Sequence, residues 1–345
     1  MTPMRPALAP LAALTLGAIS AGASLTGCAP RALAPIGAVG PEQARADVER
    51  EAAERRARDA ERRRQPSEGL APDAVYRAAL PLHGVVLESG LAIEPDRLAA
   101  RLAEADAICI GEDHDDVHAH WAELELFRRL RELAKMSGRA LGLGLEMVQS
   151  TAQPELERYL DGTIDDAELR ERLRWEKSWG YDFALTQPLV DAARRADAPL
   201  LALDVEHSLV RRVARGGLDA LDPAERAKLP ALDLRDREHH AAFEHAMREH
   251  PHPGSREHLY LAQVLRDEAI ADTAAEWLAE GAPARQLVII AGAEHCRRRA
   301  VPARLARRHG ARVASVRPVV EGAAELPDAG DYDFAAVMVP ERARP

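Results

Sequence analysis

Residues Ala105–His120 read A-D-A-I-C-I-G-E-D-H-D-D-V-H-A-H: a short apolar run, a glycine, then a burst of acids and imidazoles. The run is Ala107–Ile110, and after Gly111 come Glu112, Asp113, His114, Asp115, Asp116, His118 and His120. An apolar run ending in glycine is how a strand buried on both faces of a parallel sheet delivers its carboxyl end into a loop. In open α/β sheets, ligands occupy the crevice outside those ends. The arrangement recurs downstream, where Gln286–Ala291 leads into Gly292-Ala293-Glu294-His295. Two strands therefore end in Gly-x-x-His.

Working outward, Ala140–Met147 is a third apolar run and carries Glu146 near its end. Pro199–Leu203 ends in Asp204, and Val313–Val316 is a fifth run. Helical patterns separate them: one over about 116–136, with Leu124, Phe127, Leu130 and Leu133 at three-residue spacing, and a long one over Glu257–Glu280. His83–Ser89 and Leu91–Ile93 suggest a hairpin around Ser89-Gly90. This alternation predicts an α/β fold with a mostly parallel, doubly wound sheet over residues 71–320. Two insertions, about 150–183 and 222–254, hold helical patches and are expected to form a helical cap over the carboxyl edge of the strands. Residues 321–345 read as a loop-rich tail apart from Phe334–Val339.

The amino terminus carries an address. Arg5, the apolar stretch Ala7–Ala23 and the close Leu25-Thr26-Gly27-Cys28 form a signal peptide over residues 1–27. Leu-x-Gly-Cys resembles a bacterial lipobox, which implies lipidation (such as palmitate) at Cys28 and a membrane anchor. Ala29 is not the aspartate of an inner-membrane retention signal, so an outer-membrane lipoprotein facing the periplasm is expected. Residues 28–70 read as linker and charged spacer: Glu42–Arg64 interleaves eight arginines with seven acids and lacks an apolar face. A net charge of −10 and 4% aromatic residues argue against a nucleic-acid partner. Cys109 and Cys296 remain, each beside a Gly-x-x-His motif; a pair in an oxidising compartment could bridge, but spacing does not supply the geometry, and two buried or site-flanking thiols are expected.

If the three strands are neighbours, Glu112, His114, Glu146 and His295 converge. Two imidazoles with one or two carboxylates suit a divalent ion such as Zn, Mn, Co or Fe, with coordination positions left for an acidified water. Without metal, the same groups suit general acid–base catalysis. The plainer alternative is a satisfied hydrogen-bond network at the sheet edge. His118 and His120 are expected on the flanking helix, outside the site, and His239, His240 and His245 on a solvated face. Trp175, Trp179, Tyr181 and Phe183 concentrate the few aromatic residues. They suit either core packing of the cap or a wall for a flat apolar ligand, with Tyr181 able to offer a phenolate to ferric iron. No Gly-x-Gly-x-x-Gly, P-loop, Cys-x-x-Cys-His or Gly-x-Ser-x-Gly occurs, which disfavours nucleotide binding, covalent haem and serine esterase chemistry.

These residues in series resemble the ChaN-like lipoproteins of the Tiki/TraB superfamily. The likeness runs through Ile108-Cys-Ile-Gly-Glu-Asp-His-Asp115 with His120, Leu145-Glu-Met147, Trp179-Gly-Tyr-Asp182, Pro199–Asp204, Ser208–Ala214, Gln263–Glu268 and Ile290–His295. It spans roughly 75–317, and Asp204 stands where the family carries Asn. The resemblance implies a haem-binding protein of iron acquisition, a homodimer enclosing haem held by tyrosine with a histidine nearby. Tyr181, with Trp179 beside it, is the candidate here, and no Tyr-His dipeptide occurs in the chain. Tiki-like relatives imply instead a metal-dependent hydrolase using His114, Glu146 and His295, with Glu112 close by. A third expectation is a degenerate, non-catalytic scaffold.

Overall fold

A computed structural model describes residues 69–249, 254–280 and 284–340. The signal peptide, Cys28 and the charged spacer lie outside the described residues. The strands are β1 (Leu82–Val86), β2 (Leu91–Ile93), β3 (Ala107–Glu112), β4 (Ala140–Gln149), β5 (Leu200–Asp204), β6 (Arg285–Gly292), β7 (Val313–Val320) and β8 (Phe334–Met338). The helices are α1 (Ala74–Arg77), α2 (Pro95–Leu102), α3 (Val117–Ser137), α4 (Gln153–Leu160), α5 (Asp166–Arg172), α6 (Trp175–Ser178) and α7 (Phe183–Arg195). After β5 follow α8 (His207–Gly216), α9 (Pro223–Arg226), α10 (Arg237–Glu249), α11 (Arg256–Ala279), α12 (Ala293–Cys296) and α13 (Val301–His309).

One sheet runs in the order β2-β1-β8-β7-β3-β6-β4-β5. From β8 to β5 all neighbours pair in parallel, and only β1 and β2 turn antiparallel. Every residue of β3 is buried, as an uninterrupted apolar run demands, because helices cover both faces of the sheet. Ile108, Ile110, Leu143 and Leu145 face the layer that contains Leu124 and Phe127 of α3 and Leu189 of α7. Cys109, Leu287 and Ile289 face the opposite layer, with Ile270 of α11 and Leu305 of α13. The mostly parallel α/β fold is therefore as the alternation predicts, with the hairpin β1–β2 at one edge.

Three features differ from the sequence expectation. Phe334–Met338 is no stray run in a tail: it fills the sheet between β7 and β1. The insertion expected over about 150–183 ends where a helix begins that the pattern above does not include: α7 starts at Phe183, because Asp182 caps it by accepting from the Ala184 N–H at 2.9 Å. Cys109 and Cys296 are not free thiols but a disulfide, with 5.3 Å between Cα atoms across 187 residues of sequence. The pairing follows from sheet order: β3 lies beside β6, so the residue after the second Gly-x-x-His falls over the middle of β3.

Closing so long a loop restricts the unfolded chain, which is worth about 2–5 kcal/mol. Reduction, or replacement of both cysteines by alanine, is expected to lower stability by that amount in urea unfolding. An unchanged midpoint with dithiothreitol would contradict the bridge.

Candidate functional site

Sheet order makes the site. β3, β6 and β4 are adjacent, and Glu112 lies opposite Gly292 in the parallel register. Pairing of β4 with β5 slips between Leu145 and Gln149, a bulge that spans Glu146. Glu146 is 1% exposed, and its Oε2 accepts the Gly292 N–H at 2.5 Å. Its Oε1 accepts from Arg266 of α11 at 2.6 Å and lies 3.4 Å from His295 Nε2.

Gly292 is the point of convergence. A Cβ there would lie 2.8 Å from His114 Cε1, 3.0 Å from His114 Nε2 and 3.6 Å from Glu146 Oε2. His114, Glu146 and His295 thus gather about one backbone position, and Glu112 stands directly behind His114. Both histidines are oriented in the same way. His114 Nδ1–H donates to Glu112 Oε1 at 2.7 Å, and His295 Nδ1–H donates to Asp267 Oδ1 at 2.6 Å. A carboxylate behind Nδ1 fixes the tautomer that leaves Nε2 for chemistry. His295 Nε2 faces Glu146, and His114 Nε2 lies against Gly292.

The electrostatics are those of buried charge held by partners. Burial pushes the Glu146 carboxyl up, but the charges of His295, Arg266 and His114 and the Gly292 N–H bring it down to about 2. Burial lowers His295, and the neighbouring Glu146 charge and the Asp267 hydrogen bond more than reverse it. His114 is likewise raised above its ordinary value, burial being outweighed by the Glu112 hydrogen bond and the Glu146 charge. Asp204, fully buried at the end of β5, accepts from Arg266 at 2.6 Å and lies 3.0 Å from His207 Nε2.

The structure also corrects the flanking histidines. His120 is not an exposed helix residue: it is 3% exposed and lies against Glu112 Oε2 at 3.3 Å and Glu123 Oε2 at 3.1 Å. His118 does flank, with its Nδ1 2.9 Å from the Ala78 carbonyl oxygen. His239 is not on a solvated face either, since it is buried with Nε2 3.1 Å from Asp267 Oδ2. His240 keeps half its surface exposed. The aromatic residues divide between the two expected roles. Trp175 and Phe183 pack in the core, 5.0 Å apart. Trp179 and Tyr181 are half-buried, with ring centroids 4.6 and 5.2 Å from that of His114.

Sequence reasoning missed His120, Glu123, Arg266 and Asp267. Their signals were present: His120 and Glu123 share the helix face of Leu124 and Phe127, and Arg266-Asp267-Glu268 interrupts an apolar stretch of α11. Polar residues on a buried face call for partners.

A family profile described as haem-binding uptake, Tiki superfamily, ChaN matches residues 98–305. Among solved structures, the chain is similar to ChaN of Campylobacter jejuni, described as binding haem cofacially. Identity is 17% and the TM-score 0.61, over 74% of this chain and 96% of that one. The type III effector HopBA1 is 13% identical, TM-score 0.42, over 72% and 93% of the two chains. An erythromycin esterase mutant in its open conformation is 15% identical, TM-score 0.39, over 71% and 78%. No curated protein matches the chain in sequence.

Glu146 titrates near 2 against an ordinary 4.5, so the stability it contributes is complete above about pH 4.5 and is lost as the pH falls towards 2. Glu146→Gln is expected to lower stability by about 1–3 kcal/mol near neutral pH and to flatten the loss across that acid window. Parallel acid limbs for the two proteins in urea unfolding would contradict this.

Proposed function

The chain belongs to the haem-binding ChaN family of the Tiki superfamily, and on that premise we propose that it binds haem at the carboxyl edge of the sheet, against Trp179, Tyr181 and His114. The supporting observation is one of access. The His114 side chain is 24% exposed, against 6% for His295 and 3% for His120, so it is the imidazole of this network that a ligand can reach. Trp179 and Tyr181 flank it, with their own ring centroids 5.7 Å apart. The donor set fits haem: a phenol oxygen is a recognised ligand for ferric haem iron, an imidazole stands beside it, and an indole offers a flat apolar face. Tyr181 would hold the iron and Trp179 the porphyrin plane, while His114, fixed by Glu112, would present Nε2 next to them. Bound haem supplies the iron that such a protein handles in iron acquisition.

The same reading places the protein in the cell envelope, lipidated at Cys28, anchored in the outer membrane and facing the periplasm. The Cys109–Cys296 bridge supports this, because structural disulfides persist in oxidising compartments. A homodimer, as the family likeness suggests, would enclose the haem that one half-buried aromatic face leaves open.

A second reading rests on the convergence of His114, Glu146 and His295 about Gly292. Two carboxylate-backed imidazoles across from a third carboxylate suit a hydrolase, with a divalent Zn, Mn, Co or Fe held by His114, Glu146 and His295 and with Glu112 behind. Arg266 already neutralises Glu146, which favours haem binding over this alternative. Equal metal content in the wild type, His114→Ala and His295→Ala would exclude it.

Titration of the purified protein with haemin is expected to give a Soret band at saturable stoichiometry, weakened about tenfold or more, or about 1.4 kcal/mol, by Tyr181→Phe. A wild-type protein that leaves the haemin spectrum unchanged would sink the proposal.

A further inference from the structure

Behind His114 lies a second cluster, in which Glu112 turns its other carboxylate oxygen towards two residues that neither reading uses, His120 and Glu123. Glu112 at the end of β3 and His120 and Glu123 in the first turns of α3 are 2%, 3% and 1% exposed. His120 and Glu123 stand three residues apart, on one helix face. One ligand atom from each of the three residues lies within 4.8 Å of the other two. His120 Nε2–H donates to the His114 carbonyl oxygen at 3.2 Å, which turns Nδ1 inward. It meets Glu123 Oε2 at 3.1 Å and Glu112 Oε2 at 3.3 Å. Two buried oxygens of the cluster, Glu112 Oε2 and Glu123 Oε1, have no hydrogen-bond partner.

We propose that Glu112, His120 and Glu123 form a buried site for a divalent first-row transition cation, behind the imidazole of His114. Spacing supports it. Metal–ligand bonds of about 2.0–2.2 Å place neighbouring ligand atoms of a tetrahedral or octahedral shell roughly 3.0–3.5 Å apart, which matches the two separations from His120 Nδ1. Charge is compatible as well: once the cluster releases its protons to bind, two carboxylates with a neutral imidazole would carry −2, which a divalent ion cancels without further counter-charge. The unpartnered oxygens gain ligation where burial otherwise leaves them costly. One imidazole with two carboxylates suits Zn, Mn or Fe and lacks the thiolates that softer ions select. Such an ion would hold Glu112 Oε2, and through the same carboxylate fix Oε1 against His114 Nδ1, so that Glu112 joins the buried site to the exposed one.

The site is separate from His114, Glu146 and His295, and it does not depend on haem. The test uses the full chain, stripped with a chelator and reloaded with zinc(II) alone. Folded wild type is expected to retain about one equivalent after desalting, with an X-ray absorption shell containing a single imidazole. Glu123→Gln, shown folded by circular dichroism, is expected to weaken retention by about tenfold or more, and His295→Ala to leave it unchanged. No retained zinc in the wild type, a shell with two imidazoles, or undiminished zinc in Glu123→Gln would overturn the proposal. Should Glu123→Gln fail to fold, the wild-type spectrum decides alone between one imidazole and two.

Discussion

The carboxylate of Glu146 is the constraint on which the rest of the site depends. It is buried at the end of β4, where it accepts a backbone N–H from β6 and a guanidinium N–H from α11 and lies against His295. An ionised carboxylate in such a place is tolerable only with partners that hold its charge. The bulge that frees Glu146 from regular pairing, the glycine at position 292 and the arginine at position 266 therefore belong to one arrangement. Glycine is required there by space, because the His114 ring occupies the volume that a Cβ would take.

From that carboxylate the site extends in two directions with the same logic. On one side His114 is backed by Glu112, and Glu112 by His120. On the other, His295 is backed by Asp267, and Asp267 by His239. Each imidazole is locked by a buried acid, so neither ring can rotate without stranding a charge. α11 carries much of this cost: Asp267 and Glu268 are fully buried, and Glu268 is met by Arg307 and Arg308 of α13 at 2.6 and 2.7 Å. The contrast with Trp179 and Tyr181 is the functional point. An interior held by buried ion pairs ends in a half-buried aromatic face, the one proposed above to receive a flat ligand.

Much of this was legible in the sequence, for physical reasons. β3 and β6 were plain because strands buried on both faces are apolar throughout, and parallel order brings their carboxyl ends together. Glu146 stood out as an acid at the end of another such run. His120 and Glu123 were not legible as site residues, because a polar pair on an amphipathic helix looks solvated until the helix is docked on the sheet. The pairing of Arg266 with Glu146 and Asp204 spans 120 and 62 residues, a distance over which local pattern carries no information. The disulfide was hidden for the same reason: it follows from β3 lying beside β6, a fact of topology and not of spacing. Five residues of β8 between antiparallel and parallel neighbours were likewise too short a run to announce an interior strand.

The claim that the aromatic–imidazole face receives haem is tested most directly by locating the ligand. Ferric haem broadens nearby nuclear resonances through its unpaired electrons. With substoichiometric haemin, the ring signals of His114 and the indole signal of Trp179 should broaden first. The indole of Trp277, packed near Gly142 towards the start of β4, should stay sharp. Uniform broadening, or loss of the Trp277 signal ahead of those of His114 and Trp179, would place the haem elsewhere and contradict the account.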